Sequence, residues 1–283
     1  MNSPLKTQNY KEWLKEAEAA LAAAGVPTAH LDAEVILSHT INKPRTFLHA
    51  HPEDELTDRQ TEIANARLAL RTDRVPLAYI IGHKEFYGRH FDVTTATLVP
   101  RPESELMIDL LKQTLGNNAS LLPEKQKRLV DVGTGSGNLG IIAKLETPAL
   151  DVTLVDNSRY ALKVAENNAK TLHAEVRVLL SDLLDSYPFK ADIILANLPY
   201  VDPTWERSPE TNHEPATALF ADNNGKALIM KLIRAIKRSL VVGGFLFIEA
   251  DPEQHTAIIS EAKQQDLSLT AQQDYQLVFR RED

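Results

Sequence analysis

The stretch Asp131-Val132-Gly133-Thr134-Gly135-Ser136-Gly137-Asn138-Leu139-Gly140 decides the fold of the larger part of this chain. It begins within a short apolar run, Arg128–Val132, that predicts a buried strand, and a helical pattern follows it. A strand, a glycine-rich turn and a helix in this order are typical of an α/β ligand-binding unit. The glycines allow a ligand to approach the backbone closely, because no Cβ stands in the way.

Strands and helices alternate from this stretch to the C-terminus, and this alternation predicts a doubly wound, mostly parallel sheet. Ligands bind such sheets beyond the carboxyl ends of the strands. The polar strand ends are Asp131–Gly137, Asp156, Asp182 and Asn197–Tyr200, and they predict a site at one edge of the sheet. The other predicted strands are Val152–Asp156, Val176–Leu180, Asp192–Ala196, Phe245–Glu249 and Gln276–Arg280, with helices from Ser158 to about Leu172, from Ala227 to Leu240 and after Pro252.

The glycine loop is compatible with two classes of cofactor. Gly135, Gly137 and Gly140 satisfy the dinucleotide fingerprint, and Asp156 stands where a ribose-binding acid is expected. Asp156 does not discriminate, because both nicotinamide dinucleotides and S-adenosylmethionine contain an adenosine ribose. Asp131 would repel a pyrophosphate but suits the ammonium group of S-adenosylmethionine. We therefore favour the methyl donor, with a nicotinamide-binding oxidoreductase or a non-catalytic binding protein as the alternatives.

The part of the chain before residue 76 has the patterns of a small helical bundle. Apolar residues from Trp13 to Ala24 recur at helical spacing, and Gly25 with Pro27 predicts the end of that helix. The sequence also predicts a helix from about Thr28 to Thr40, a short piece after Pro44, and a helix from a capping box at Thr57 and Gln60 to about Thr72.

Residues 76–100 form a predicted hairpin linker with a turn around Gly88. A helix is expected to start at Pro102 and to end at Gly116, because proline suits a first helical turn and glycine a helix end. The polar residues Asn117–Gln126 predict a surface loop. The predicted domains are a helical bundle over 1–75, a linker over 76–100 and a catalytic domain over 101–283.

The composition excludes several classes of protein. The chain has 283 residues, of which 43% are hydrophobic, and no cysteine, so disulfides and thiolate metal sites are excluded. The histidines of the N-terminal third, which are His30, His39, His49 and His51, lack metal-ligand spacing, and we expect no metal. No apolar run approaches a membrane span, and the first 25 residues are unlike a signal peptide, so we expect a cytoplasmic protein. The net charge of -8 argues against nucleic acid as the main partner.

Ala196-Asn197-Leu198-Pro199-Tyr200 follows an apolar strand. An asparagine, a rigid proline and an exposed aromatic at this place are poorly explained by packing. They fit a site that holds a flat, amide-like group, although an ordinary proline turn would give the same pattern.

With these residues in place, the chain resembles the release-factor glutamine methyltransferase family, HemK/PrmC. The resemblance covers nearly the whole chain, and its most specific motifs are Pro100-Arg101-Pro102-Glu103 and Asn197-Leu198-Pro199-Tyr200. It implies a class I S-adenosylmethionine-dependent methyltransferase domain, preceded by a helical domain that docks the substrate. It also implies methylation of N5 of the glutamine in the Gly-Gly-Gln motif of bacterial class 1 peptide chain release factors, with S-adenosylhomocysteine as the product.

The resemblance assigns roles to individual residues. The Asn197 side-chain oxygen and the Leu198 carbonyl would each accept an amide hydrogen of the substrate, with Pro199 stiffening the loop and the Tyr200 ring on the flat amide. Leu198 departs from the proline usual in the family, so it lacks a fixed φ. Arg101 and Glu103 would lie near the substrate or form a structural ion pair. The residues assigned to the cofactor are Asp131, Gly133, Thr134, Gly135, Ser136, Gly137, Asp156 for the ribose, Asp182 and Leu183 for the adenine, and Asn197.

Two related activities are also compatible with the sequence. The first is methylation of a ribosomal-protein glutamine, which only the choice of substrate separates from the leading hypothesis. The second is methylation of adenine N6 in a nucleic acid, because adenine also presents a flat amino group. The acidic balance of the chain makes direct methylation of nucleic acid the weaker hypothesis.

Overall fold

The computed structural model describes residues 8–117 and 126–283, so the predicted surface loop after Asn117 lies outside the described residues. The described chain forms two compact units, and each is considered by itself. The first unit contains the residues up to Gly82 together with Arg207–His213, and the second contains His83–Glu206 and Glu214–Asp283.

The first unit is helical, as its sequence predicts. The Asn9 side chain caps the first helix by accepting from the Glu12 backbone N–H at 2.9 Å, and Thr57 with Gln60 forms the predicted capping box. Trp13 is buried in the core between the helices. The last helix is only five residues long, too short for a periodic pattern to predict it. The helices are α1 (Tyr10–Ala23), α2 (Ala29–Ile41), α3 (Arg45–Ala50), α4 (Asp58–Thr72) and α5 (Leu77–Ile81).

Buried charges hold the segment Arg207–His213 within this unit. Arg71 donates to Asp32 Oδ2 at 2.6 Å and to Glu210 Oε1 at 2.9 Å, and Arg74 donates to both Glu210 oxygens. Burial opposes ionisation of Glu210, but hydrogen bonds from Arg74, Ser208 and Arg71 outweigh it and lower the pKa of Glu210 to about 2. The ion pairs of Glu210 with Arg71 and Arg74 therefore bind the segment Arg207–His213 to the helices of this unit.

The second unit begins with the predicted hairpin, β1 (His83–Phe86) and β2 (Arg89–Asp92), which turns at Gly88. One buried side chain ties this hairpin to the glycine loop. Asn168 accepts from the Asp92 N–H at 2.8 Å and donates to the carbonyls of Asp92 and Ser136 at 3.0 and 2.9 Å. The hairpin therefore supports the loop that the sequence assigns to the cofactor.

Seven strands of the described chain form one sheet in the order β5-β4-β3-β6-β7-β9-β8. The pairs from β5 to β7 are parallel, and β9 is antiparallel to both β7 and β8. The predicted doubly wound, mostly parallel sheet is thus confirmed. The strands are β3 (Arg128–Val132), β4 (Asp151–Asp156), β5 (Val176–Leu180), β6 (Ala191–Ala196), β7 (Leu240–Glu249), β8 (Leu267–Gln273) and β9 (Gln276–Arg281).

Helices cover both faces of the sheet, and successive residues of β6 enter two different apolar clusters. Ile193 packs in the cluster that contains Ile141, whereas Ile194 packs in the cluster that contains Ile233. Within the described ranges, no helix is both long enough and apolar enough to cross a bilayer. The helices of this unit are α6 (Glu105–Asn117), α7 (Asn138–Glu146), α8 (Arg159–Thr171), α9 (Ala216–Leu219), α10 (Ala227–Ser239) and α11 (His255–Gln264).

Several elements differ from the sequence predictions, and the helix expected from Pro102 begins with a 3-10 turn over Pro102–Ser104 before α6. β7 begins at Leu240 rather than Phe245, because Leu240 already pairs with Ala191 before an irregularity in the register. α6 continues past Gly116 to Asn117, since a glycine in the last turn is tolerated there. β8 was not predicted, because this outermost strand is mostly polar and owes its conformation to antiparallel pairing with β9.

A pH titration tests the ion-pair network of the first unit. Because the pKa of Glu210 is lowered, its ionised carboxylate stabilises the fold at pH values above 4.5, the ordinary pKa of a glutamate. This contribution is lost as the pH falls towards about 2. We expect the free energy of unfolding to fall less steeply over this interval in Glu210→Gln than in the wild type, as measured by urea unfolding. The exposed Glu253→Gln is the matched control. Identical pH dependence in Glu210→Gln and the wild type would contradict the assignment.

Candidate active site

A cavity of about 250 Å³ lies beyond the carboxyl ends of the parallel strands. Most of the residues that the sequence assigns to a site line this cavity. Gly137, Tyr200 and Glu103 are described but are not part of the lining. The assigned residues that do line it are Arg101, Asp131, Gly133, Thr134, Gly135, Ser136, Asp156, Asp182, Leu183, Asn197, Leu198 and Pro199.

The glycine loop turns away from β3 through left-handed backbone conformations. Gly133 and Gly135 have φ angles of 71° and 54°, which few other residues adopt without strain. A Cβ on Gly133 would lie 2.9 Å from Leu198 Cδ2, whereas a Cβ on Gly135 would meet no protein atom within 4 Å. The N–H groups of Gly133 and Thr134 both donate to the Val155 carbonyl, which fixes the loop to β4. The loop is therefore closed on one side and open on the side of the cavity.

Asp131 is a buried carboxylate at the base of this loop. Its Oδ2 accepts from Thr134 Oγ1 at 2.6 Å and from the Gly140 N–H at 2.9 Å. Burial raises the pKa of Asp131 to about 6, against the opposing effect of these two hydrogen bonds. A group with this pKa changes its charge just below neutral pH.

Asp156 ends β4 and faces the same cavity. Its two oxygens accept from the backbone N–H groups of Gly135 at 3.0 Å and of Ser158 at 2.8 Å. Burial raises the pKa of Asp156, and the backbone hydrogen bonds oppose that shift. The carboxylate is thus held in one orientation, and each oxygen retains a lone pair for a ligand hydroxyl.

Asp182 and Leu183 follow β5. The sequence is compatible with two roles for Asp182, which are binding of the adenine and capping of a helix. In the structure its Oδ2 lies 2.6 Å from Lys231 Nζ, and both side chains are about half exposed. Leu183 has a φ of 48° and packs against the apolar cluster of the sheet. Asp182 therefore lines the cavity as one partner of an exposed ion pair.

Asn197 comes directly after β6, and its amide nitrogen already donates one hydrogen bond. Nδ2 donates to Ser104 Oγ at 3.0 Å, and the structure gives no hydrogen bond to Oδ1 among the described residues. The oxygen is thus the end of the carboxamide that remains for a ligand. Leu198 is buried, with its side chain against Gly133.

The prediction that Tyr200 is an exposed aromatic is wrong. Its side chain is half-buried, and its hydroxyl donates to Glu249 Oε1 at 3.2 Å. Burial, together with the neighbouring Glu249 carboxylate, raises the pKa of Tyr200. The reason is the sheet order, because β7 runs parallel beside β6 and brings Glu249 next to the segment that follows Ala196. Gln254 fastens the same segment by donating to the Tyr200 carbonyl at 2.8 Å.

Arg101 and Glu103 have different environments. Arg101 lines the cavity and forms an ion pair with Glu214, a buried carboxylate that also accepts from the Val99 N–H at 3.1 Å. Glu103 is exposed. The sequence left open a structural ion pair for Arg101 and Glu103, but in the structure Arg101 pairs with Glu214 instead.

Sequence reasoning missed three residues that support the site. Ser104 holds the Asn197 amide, Glu249 holds the Tyr200 hydroxyl, and Gln254 holds the Tyr200 carbonyl. Glu249 could have been found, because it is an acid at the carboxyl end of a predicted parallel strand. Ser104 and Gln254 have no local signal, since their partners lie far away in the sequence.

The sheet order and the glycine-rich turn after the first parallel strand define the fold of a class I methyltransferase. A methyltransferase from Pyrococcus furiosus has the same fold, with a TM-score of 0.53 and 16% identity, over 77% of this chain and 98% of that chain. The T. thermophilus 16S rRNA N2 G1207 methyltransferase, solved in complex with AdoMet and guanosine, has a TM-score of 0.51 and 16% identity, over 71% of this chain and 50% of its own.

Sequence comparison identifies the family. The family model for the PrmC N-terminal domain matches residues 12–82, and the model for the methyltransferase small domain matches residues 104–214. The release factor glutamine methyltransferase of Escherichia coli K12 is 34% identical over 256 residues, which is 88% of this chain and 88% of that protein. The chain belongs to the release factor glutamine methyltransferase family.

A glycine next to the Tyr200 segment provides a test of the site's packing. A Cβ on Gly225, whose φ is 76°, would lie 2.0 Å from the Tyr200 carbonyl oxygen and 2.5 Å from Gln254 Nε2. We expect Gly225→Ala to lower the free energy of unfolding by about 1–3 kcal/mol, measured by calorimetry or urea unfolding. Gly116→Ala, which meets no atom within 4 Å, is the control and should raise it by about 0.5–1 kcal/mol. Wild-type stability in Gly225→Ala would show that the segment can move aside.

Proposed function

We propose that this protein transfers a methyl group from S-adenosylmethionine to N5 of the glutamine in the Gly-Gly-Gln motif of class 1 peptide chain release factors. The main support is the Asn197 carboxamide, which lines the same cavity as the glycine loop, donates from its nitrogen to Ser104 and leaves its oxygen for a ligand. Family membership supports the same substrate, because the relatives are named for the release factor glutamine.

The residues around the cavity suit a cationic donor that contains a ribose. Gly135 leaves open space beside the loop, Asp156 offers oriented oxygens to two hydroxyls, and Asp131 supplies negative charge for an ammonium group. Asp182 and Leu183 would bind the adenine, the first through its amino group and the second against the ring. The donor supplies an electrophilic methyl group on a sulfonium.

The substrate nitrogen needs positioning more than activation by a base. A glutamine amide nitrogen is a poor nucleophile, because its lone pair is delocalised into the carbonyl. The Asn197 oxygen and the Leu198 carbonyl would each accept one of its two hydrogens, which fixes the nitrogen and stabilises the positive charge that develops on it as the bond to the methyl group forms and the carbon–sulfur bond breaks. Positioning of this kind lowers a barrier by up to about 7–11 kcal/mol.

The same two acceptors explain the choice of amide over acid. A glutamate in place of the glutamine would present lone pairs to the Asn197 and Leu198 oxygens, and such mismatches cost about 10⁴-fold in rate. The Tyr200 ring would pack on the flat amide, and Pro199 would keep the loop in its turn. Arg101, which also lines the cavity, would reach the substrate, while its partner Glu214 stays buried.

The three predicted domains remain part of this proposal. The helices of residues 1–75 would dock the release factor, residues 76–100 would link them, and residues 101–283 would carry the methyl transfer. The match to the PrmC N-terminal domain over 12–82 supports a common role for this part in the family. Release factors act at the ribosome, so we place the reaction in the cytoplasm.

Mass spectrometry of a release factor after incubation with this protein and S-adenosylmethionine tests the proposal. We expect one added methyl group on the glutamine of the Gly-Gly-Gln motif, and none on a release factor whose glutamine is replaced by glutamate. Ribosomal proteins, RNA and DNA are offered in parallel reactions. Methylation of one of these, and not of the release factor, would overturn the proposal.

Substitution of Asn197 separates catalysis from donor binding. Asn197→Ala removes one of the two proposed acceptors, so we expect kcat to fall by about 10²–10³-fold with little change in the affinity for S-adenosylmethionine. Activity is followed with labelled donor and affinity by calorimetry. Asn167→Ala, at an exposed position of α8, is the control and should be as active as the wild type. Comparable turnover in Asn197→Ala would count against the proposed role.

The proposed contact of Asp131 with the donor predicts a pH dependence. Asp131 has a pKa of about 6, so it loses its negative charge as pH falls through that value. If its charge binds the donor's ammonium group, affinity for S-adenosylmethionine falls by about tenfold for each pH unit below the pKa. Calorimetry at neutral and acidic pH measures this fall, which should be absent in Asp131→Asn. An equal fall in affinity in the wild type and in Asp131→Asn would show that Asp131 does not cause the pH dependence.

A further inference from the structure

Glu249 is a buried acid at the carboxyl end of β7 that the proposed mechanism does not use. Glu249 is only 1% exposed to solvent. Tyr200 donates to its Oε1 at 3.2 Å, and Gln276 donates to its Oε2 at 2.9 Å. The side chains of Ser104 and Asn197 lie beside the carboxyl group, close enough to favour its charged form. Two of these four partners belong to the segment that is proposed to hold the substrate amide.

All four partners can donate a hydrogen bond to the carboxyl group. Gln276 and Asn197 present amide nitrogens, and Ser104 and Tyr200 present hydroxyls. Ser104 Oγ accepts from Asn197 Nδ2, so its own hydrogen is free to point to Glu249. The result is a chain of donors that runs from the Asn197 nitrogen, through Ser104, to the carboxyl group.

Such a chain sets the orientation of the Asn197 carboxamide. An asparagine side chain has nearly the same shape after a half-turn that exchanges its oxygen and nitrogen, so packing alone does not choose between the two. An acceptor at the far end of the chain attracts the nitrogen and repels the oxygen. The Asn197 oxygen is then the atom that points away from Glu249 and remains available on the cavity wall.

We propose that Glu249 is the positioning residue that orients the Asn197 carboxamide, through Ser104, so that an oxygen and not an NH₂ group meets the substrate amide. This inference rests on the proposed function, because it explains how the site recognises an NH₂ group. Glu249 itself does not contact the substrate. Gln276 donates to the Oε2 atom of the carboxyl group and helps to keep it in place.

The electrostatic setting agrees with an acceptor role. Burial raises the pKa of Glu249, and the hydrogen bonds from Ser104, Gln276, Tyr200 and Asn197 oppose that shift. Removal of the carboxyl group would leave several buried donors without an acceptor, including the Tyr200 hydroxyl. The Asn197 amide would then be free to turn over. The substrate NH₂ group would lose one of its two acceptors, the Asn197 oxygen, and keep only the Leu198 carbonyl.

Kinetics of three variants test the proposal with a release factor as substrate. Glu249→Leu removes the acceptor, and Ser104→Ala breaks the connection while leaving a small, easily packed side chain. We expect both to lower kcat by about 10²-fold, as a misplaced catalytic group does, with unchanged affinity for S-adenosylmethionine. Glu249→Gln keeps one oxygen acceptor and should recover part of the loss. The exposed Glu253→Leu, on the turn after β7, is the matched control and should behave as the wild type.

A second measurement uses the protein without donor or substrate. The side-chain NH₂ resonances of Asn197, assigned by their loss in Asn197→Ala, report its hydrogen bonding by NMR. We expect slow hydrogen exchange of this NH₂ group in the wild type and fast exchange in Ser104→Ala and Glu249→Leu. This readout does not depend on activity, so it separates failure of the inference from failure of the proposed function.

Two results would overturn the inference. One is wild-type kcat and slow Asn197 exchange in Ser104→Ala, which stays informative even if Glu249→Leu does not fold. The other is a loss of activity in Tyr200→Phe that equals the loss in Glu249→Leu, while Ser104→Ala is fully active. In that case Glu249 would act on Tyr200 and not on Asn197. A wild-type protein that methylates no release factor would instead refute the proposed function.

Discussion

The register of the parallel strands determines every other feature of the site. Val132 pairs with both Val155 and Ala196, and Ala196 pairs with Ile248. The residues that follow these positions therefore emerge at one edge of the sheet, although they come from four separate parts of the chain. Side chains alternate along a strand, so a shift of one residue in β6 would turn its residues to the opposite face. The two faces of β6 pack against different apolar clusters, so such a shift would force both clusters to repack.

Two acids, Asp131 and Asp156, line the cavity at this edge, and their charge favours a positively charged ligand over an anion. Burial is the main cause of the raised pKa of Asp131, and the nearby charge of Asp156 raises it further. Both carboxylates are held by the backbone of the glycine loop, so they cannot move apart. A cation between them relieves both the desolvation and the repulsion. A pyrophosphate would worsen both, which is why the same glycine pattern does not imply a dinucleotide here.

The sequence predicted those parts of the molecule that depend on local patterns. The parallel strands, the capping box at Thr57, the hairpin at Gly88 and the cluster of polar strand ends all follow from residues that are neighbours in the chain. The support behind the site does not, because Ser104 and Asn197 are 93 residues apart and Tyr200 and Glu249 are 49 apart. Only the tertiary fold brings them together. β8 was missed for a similar reason. Its residues are mostly polar, and they form a strand because they pair with β9.

Leu198 shows how tertiary packing replaces a covalent restraint. The family's usual proline fixes φ through its ring, and leucine has no such ring. Here the Leu198 side chain is 4% exposed and lies against Gly133, where a Cβ would come within 2.9 Å of it. The hydrogen bonds of Asn197 to Ser104 and of the Tyr200 carbonyl to Gln254 restrain the segment on either side. The wall that would face the substrate is thus packed directly on the loop that would face the donor, so neither can shift without the other.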